Sequence, residues 1–285
     1  MSQQQAATGG RSLSKSIVVG LLLGGVFLLS VLILKELFIV LAAAVAALGA
    51  WELSTALRQK GWYVPRVPSV VGAILIMPAT FWGGARAQWL VALAIVGALV
   101  LWRSVHLLWE RRQAPAQAFR QTIRDFAASA FVVIYLPLMT SFTMLLLRRP
   151  DGATWVITFV VTVAMIDTAG YLVGRKLGKH KLAPGVSPKK TWEGLVASIS
   201  AGVISAVIFT QVFWKLEWWV GILLAAVLLL AAVFGDLAES LIKRDLGVKD
   251  MSSLLPGHGG VMDRLDSILP SALITYLFAQ AFLPL

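Results

Sequence analysis

Acidic and basic side chains crowd one polar segment, residues 236–266, of an otherwise apolar chain. On a continued helix Asp236, Ser240 and Lys243 would share one face, because side chains four and seven positions apart lie on one side. Asp263 and Asp266 are three apart and would also point the same way. Carboxylates beside lysines and arginines at a membrane surface suit phosphates bridged by Mg²⁺. The charge pattern alone leaves a solvated, salt-bridged loop with a helix cap as the alternative.

A sharp turn separates these acids. The run Pro-Gly-His-Gly-Gly at 256–260 must bend the chain, and its glycines allow the backbone to approach a ligand closely. The apolar Leu254 and Leu255 stand beside it, which favours a binding site over a solvated loop. His258 is a candidate substrate contact, although a single histidine between glycines fits a turn residue equally well.

Asp167 lies inside the apolar run 165–171. An ionisable residue within a membrane segment is costly, so it indicates a functional site by default. The alternative is an acid near the membrane surface that pairs with Arg175, about two turns further along the helix. We therefore treat Asp167 as a candidate substrate contact.

A second basic cluster follows at 187–191. Lys189 and Lys190, with the hydroxyl groups of Ser187 and Thr191, make an anion cradle just before the next apolar run. The positive end of a helix N-terminus there would favour phosphate. The alternative is simple anchoring by positive charge, which explains the lysines but not the Ser-Pro-Lys-Lys-Thr pattern.

Composition places these clusters in a membrane protein. Of 285 residues, 58% are hydrophobic and only 14% are charged, with a mean hydropathy of +0.81. A soluble domain carries about a quarter charged residues. The chain contains no cysteine, so disulfides and thiolate metal sites are excluded. The net charge of +11 would suggest nucleic acid on a soluble protein, but here it indicates topology and anionic ligands.

Hydropathy predicts an all-α, polytopic helical bundle with about nine transmembrane helices. Residues 1–16 are expected to form a disordered cytoplasmic tail, 17–147 the N-terminal transmembrane helices, and 148–285 a catalytic transmembrane region. The separator between the third and fourth spans is thin, and the third contains Pro78. The nine predicted spans are 17–34, 36–57, 69–84, 88–108, 126–147, 153–174, 194–214, 217–235 and 268–284.

The basic residues also predict an orientation. Most of the 25 lysines and arginines fall in the N-terminus and in the loops after the second, fourth, sixth and eighth spans. By the positive-inside rule that side is cytoplasmic. The loops 175–193 and 236–267 are separated by two spans, so they lie on this same side and can build one site.

Residues 240–266 closely resemble the signature of the phosphatidate cytidylyltransferase family. The runs Asp-Thr-Ala-Gly-Tyr at 167–171 and Ser-Pro-Lys-Lys-Thr-Trp-Glu-Gly at 187–194 are also similar to that family. The resemblance covers residues 165–270, whereas the first five spans are similar only in hydropathy. The matching signature positions are Ser240, Lys243, Arg244, Lys249, Asp250, His258, Gly259, Gly260, Asp263, Arg264 and Asp266.

The resemblance implies that CTP and phosphatidate give CDP-diacylglycerol and pyrophosphate, with one or two cations that include Mg²⁺. It implies metal ligands at Asp236, Asp263 and Asp266, which would act in catalysis together with Lys243. The expected substrate contacts are Asp167, Ser187, Lys189, Lys190, Arg244, His258 and Arg264.

The same resemblance implies a multi-pass protein of the inner membrane with its site facing the cytoplasm. CTP would come from the cytoplasm and phosphatidate from the inner leaflet of the lipid bilayer, with no nucleic-acid partner; a homodimer remains open. One alternative is a membrane transporter, which would show discontinuous helices in two repeat halves. Another is a relative that acts on a different lipid phosphate, because acceptor choice lies in the N-terminal spans.

Overall fold

A computed structural model describes residues 24–110, 115–183, 187–248, 250–252 and 260–283. The predicted tail 1–16 lies outside these residues. The chain forms α1 (24–32), α2 (Lys35–Gln59), α3 (Arg66–Glu110), α4 (Pro115–Val133), α5 (Met139–Leu147) and α6 (Gly152–Leu177). A two-stranded hairpin, β1 (Lys181–Ala183) and β2 (Ser187–Thr191), leads into α7 (Trp192–Trp214), α8 (Trp218–Leu246) and α9 (Ile268–Phe282).

The all-α membrane prediction is confirmed, but the count of nine spans is not. Within the described residues, six helical segments are long and apolar enough to cross a membrane. One of them combines α4 and α5, which a π-helical turn at Ile134–Leu138 joins around Pro137. The final helix α9 has 15 residues, fewer than the about 20 that a full span needs.

Helix α3 contains the predicted third and fourth spans and is folded at Gly84. Its 45 residues would reach about 67 Å if straight, roughly twice the thickness of a bilayer core. Gly84 has φ 70° and ψ −163°, a conformation that is essentially restricted to glycine. A Cβ added at Gly72 would lie 2.6 Å from Cγ2 of Ile95, so the two arms pack against each other as a hairpin.

Loops that the charge pattern assigns to one side meet at one end of the bundle, which we call the site end. Arg103 Nε donates to Asp125 Oδ2 at 2.8 Å, and the Tyr63 amide donates to Asp125 Oδ1 at 2.9 Å. Asp125 lies in α4, so these bonds connect α4 to the segment after α2 and to the last part of α3. Lys190, which precedes α7, forms an ion pair with Asp236 in α8. These contacts agree with the predicted grouping of the loops, and the side of the membrane that they face stays a prediction.

The remaining loops meet at the opposite end. The indole of Trp214, at the end of α7, donates to Asp151 Oδ2 at 2.7 Å, and Asp151 precedes α6. Arg149 donates from Nη2 to the carbonyl of Leu283, just after α9, at 2.6 Å. The two sets of contacts give the bundle two distinct ends, and only the site end carries the predicted catalytic residues.

Two local elements differ from the sequence-based expectation. Helix α8 continues to Leu246, well past the predicted membrane span 217–235, so Asp236, Ser240 and Lys243 share a helix as the continued-helix reading required. The hairpin β1–β2 is antiparallel, with Lys181 opposite Thr191, and stands in a region where no strand was expected. Both elements carry polar residues out of the apolar bundle toward the site end.

Candidate active site

A cavity of about 470 Å³ opens at the site end, between α6, α7, α8 and the segment that precedes α9. Its size lies within the about 300–1,000 Å³ typical of small-molecule sites. The cavity brings together six of the residues that the sequence nominated. They are Asp167, Lys190, Asp236, Asp263, Arg264 and Asp266.

Small residues allow α6 and α7 to form one wall of this cavity. A Cβ at Gly194 would lie 2.8 Å from the carbonyl oxygen of Gly170 and 3.2 Å from Cα of Gly174. Such close approach of helix backbones is the usual role of small residues in membrane helices. The Thr191 hydroxyl accepts a bond from the Gly194 amide at 3.2 Å and caps α7. In the predicted anion cradle, Thr191 therefore serves as the helix cap.

Lys190 and Asp236 form an ion pair across the cavity. Lys190 lies in β2 and Asp236 lies in α8, two elements that are distant in the chain. Their side chains are 26% and 36% exposed, so both remain accessible from the cavity. The pair joins the two predicted clusters, at 187–191 and 236–266, in one site.

Three donors among the described residues bind Asp263. Lys243 Nζ lies 2.9 Å from its Oδ1, and the amides of Gly260 and Met251 donate to its Oδ2 at 2.8 and 3.0 Å. Burial would raise the pKa of Asp263, but these hydrogen bonds and the Lys243 charge outweigh it and lower the pKa below its usual value. Asp263 is therefore an anion at neutral pH, although it lies beside the apolar bundle.

Asp266 and Asp167 meet on the other side of the cavity through Ser267. The Ser267 amide donates to Asp266 Oδ1 at 2.8 Å, and its hydroxyl donates to Asp167 Oδ2, also at 2.8 Å. Burial raises the pKa of Asp266, even though hydrogen bonds with Glu239 and the Ser267 amide oppose the shift. Asp167 thus has Ser267 as its partner, and the alternative pairing with Arg175 is wrong, since Arg175 donates to the Tyr171 hydroxyl.

A divalent cation fits the chemistry of this cavity. Asp236, Asp263 and Asp266 offer hard carboxylate oxygens, the ligands that Mg²⁺ prefers. Within the described ranges, no three acidic or histidine side chains are close enough to hold an ion by themselves. Enzymes usually hold Mg²⁺ with one or two carboxylates and complete its shell with substrate phosphates and water, so a closed protein cage is not required.

Five other nominated residues either lie away from the cavity or have side chains that the structure does not describe. Lys243 lies behind Asp263, and Arg244 is exposed near the end of α8 and is not among the described residues that line the cavity. The side chains of Ser187 and Lys189 lie outside the described part of the structure, as does His258 altogether. The catalytic role of Lys243 and the substrate contacts of the other four residues remain predictions.

Sequence reasoning missed two buried acids at this end. Glu239 is fully buried, and its Oε2 lies 3.2 Å from Lys243 Nζ, which it shares with Asp263. Glu52, in the N-terminal helix α2, contacts the segment that holds Asp263. The signal for Glu52 was present, because it is an ionisable residue within a predicted span, as Asp167 is.

Comparison with known proteins gives consistent matches. A sequence model of the cytidylyltransferase family matches residues 14–282. A phosphatidate cytidylyltransferase of Mycobacterium leprae is 37% identical over 284 residues, which cover 96% of this chain and 90% of the relative. One of Mycobacterium bovis is 34% identical and covers 97% of this chain and 92% of its own length. A third, of Brucella suis, is 40% identical over 134 residues, 47% of this chain and 50% of its own.

Proposed function

The chain belongs to the cytidylyltransferase family, and from that premise we propose that it transfers the cytidylyl group of CTP to phosphatidate. The products are CDP-diacylglycerol and pyrophosphate. One observation carries the proposal: four carboxylates, a lysine and an arginine line a single cavity at one end of a membrane bundle. Such a site combines the metal-binding and phosphate-binding groups that a triphosphate and a lipid phosphate require.

The reaction needs charge neutralisation more than it needs a base. The phosphate monoester of phosphatidate is mostly ionised near pH 7, because its second pKa is about 6. One of its oxygens attacks the α-phosphorus of CTP, and a new P–O bond forms. The bond from that phosphorus to the β-phosphate oxygen breaks, and pyrophosphate leaves with the electron pair. The barrier is the repulsion between an anionic attacker and an anionic triphosphate.

The residues of the chain have distinct proposed roles in lowering this repulsion. Lys190 and Arg264 line the cavity and would bind phosphate oxygens directly. Lys243 neutralises Asp263 and Glu239 from behind and keeps the carboxylate in place. Asp236, Asp263 and Asp266 would hold one or two divalent cations between them, each bound by at most two of these carboxylates and completed by substrate phosphates and water. When bound, the ion would polarise phosphate oxygens and stabilise charge on the leaving pyrophosphate.

The position of the cavity supports a membrane-surface reaction. It opens at the end of the bundle where the basic loops meet, which by the positive-inside rule is the cytoplasmic end. We propose that CTP enters from the cytoplasm and that phosphatidate presents its head group from the inner leaflet. The acyl chains then never leave the bilayer.

The acceptor can be tested with purified protein, Mg²⁺ and CTP labelled at the α-phosphate, offered a panel of lipid phosphates. We expect label to enter the lipid fraction with phosphatidate. Equal or faster labelling of a polyprenyl or ether-lipid phosphate would instead identify a relative with another acceptor. Transport of a solute without any labelled lipid would favour the transporter alternative.

A further inference from the structure

Glu52 is a buried carboxylate that connects the N-terminal helices to the catalytic segment. Glu52 lies in α2 and is only 3% exposed. Oε1 accepts a bond from the Val261 amide at 3.0 Å, and Oε2 accepts one from the Met262 amide at 2.9 Å. The Ser252 hydroxyl also donates to Oε1 at 2.5 Å. The Glu52 side chain therefore binds the chain both before and after residues 253–259.

These contacts adjoin the groups that hold Asp263. The amides of Met251 and Gly260 bind Asp263 Oδ2, and each stands next in the chain to a residue that binds Glu52. A Cβ at Gly260 would lie 2.8 Å from Oε2 of Glu52 and 3.1 Å from Oδ2 of Asp263. Two carboxylates thus approach the same glycine from different elements, and no larger residue fits between them without displacing one.

We propose that Glu52 is a positioning residue for the reaction, a clamp that fixes Asp263 in its place through residues 251–252 and 260–262. The inference rests on the proposed function, in which Asp263 holds the metal ion. Outer partners of metal ligands typically change metal affinity or activity by about 10–100-fold when mutated, because they orient the ligand. The N-terminal half of the chain would then take part in catalysis without contacting substrate.

A plain structural reading competes with this one. Buried backbone amides need acceptors, and Glu52 could serve only to satisfy those of Val261 and Met262. That reading predicts lost stability on mutation, with an active site that works normally in the protein that remains folded. The positioning reading predicts a lower turnover number in folded protein, together with a loosened segment.

Glu52→Gln separates the two readings because it keeps the size of the side chain. Its amide group is a donor on one side, so it faces one of two backbone donors and cannot accept both bonds. We expect kcat for CDP-diacylglycerol formation to fall by about tenfold or more. Ser54→Ala is the matched control, since Ser54 is fully buried in the same helix and its hydroxyl has no hydrogen-bond partner in the described structure. It should leave kcat unchanged.

A second measurement follows the segment without using activity. Met251→Cys places a single thiol at a buried position in a chain that has no other cysteine. Adding Glu52→Gln should speed the reaction of that thiol with a maleimide, because local opening exposes it more often. Adding Ser54→Ala should not.

The outcomes decide the proposal. Faster thiol labelling with unchanged kcat would mean that Glu52 only stabilises the segment, and it would overturn the positioning role. Lower kcat with unchanged labelling would also overturn it, since the segment would not have moved. Inactivity of the parent protein toward phosphatidate would contradict the proposed function. The thiol comparison would still test the contact itself, and unchanged labelling in Glu52→Gln would overturn the clamp.

Discussion

The acids that line the cavity each have a hydrogen-bond donor nearby. Asp236 pairs with Lys190, Asp263 with Lys243, and Asp167 with the Ser267 hydroxyl. A lysine is a compact charge on a flexible stem, so it can exchange a carboxylate for a phosphate oxygen. We expect Lys190 to make this exchange when CTP enters, which would free Asp236 for a cation.

Asp263→Asn tests the metal assignment. It preserves size but removes the charge that Lys243 and the cation share, so we expect turnover at saturating Mg²⁺ to fall below about a tenth, a loss of more than 1.4 kcal/mol. Asp245→Asn is the control, because Asp245 is exposed near the end of the same α8 helix as Lys243. Comparable activity in the two variants would refute the assignment.

Lys190→Arg tests whether charge alone suffices at the cavity wall. Arginine keeps the charge but replaces a compact donor with a planar fork, which we expect to lower kcat/KM by about tenfold, or 1.4 kcal/mol. Lys181→Arg, on the neighbouring strand and exposed, should have no effect. Normal kinetics in both variants would mean that Lys190 contributes only the positive charge of a membrane anchor.

At the residue scale, the sequence nominated all six charged residues that line the cavity, since they occur in short clusters with recognisable spacing. It could not pair Asp236 with Lys190, nor Glu52 with Val261, because these pairs depend on how distant helices pack. Glu239 was within the nominated segment, but only its full burial distinguishes it from a solvated acid.

Among the elements, the hairpin of α3 depends most on one residue. Gly84→Ala would force a side chain into a glycine-only conformation and against the Arg148 guanidinium, at a cost of about 1–3 kcal/mol. We expect a lower midpoint of thermal unfolding in detergent. Gly97→Ala, in the second arm with open space around it, should be neutral or slightly stabilising. An equal response of the two variants would mean that the fold at Gly84 is not required.

Hydropathy predicted most of the helices because a membrane allows few backbone structures that satisfy every polar group. It gave only the apolar part of α8, since the helix continues beyond the predicted span through the charged residues after Gly235. The sequence did not predict the hairpin β1–β2, because proline and lysine are uncommon in strands and β2 contains Pro188 and two lysines. The elements that differ from expectation are therefore polar ones at the site end.

For the whole molecule, the grouping of loops at two ends predicts a labelling pattern in intact cells. Single cysteines at Lys60 and His180 should react only after the membrane is permeabilised, because both belong to the basic side. A cysteine at Lys215, which is exposed after α7, should react from outside. Labelling of His180→Cys from outside would reverse the orientation and place the cavity on the wrong face for CTP.

The central claim is that this cavity joins the lipid phosphate to the α-phosphorus of CTP. Its most direct test is to give purified protein, phosphatidate and Mg²⁺ two samples of CTP, one labelled at the α-phosphate and one at the γ-phosphate. The account predicts that α-label enters the lipid fraction and γ-label leaves in pyrophosphate, both at rates that Asp263→Asn lowers together. Label from the γ-phosphate in the lipid fraction, or no lipid labelling from either sample, would contradict it.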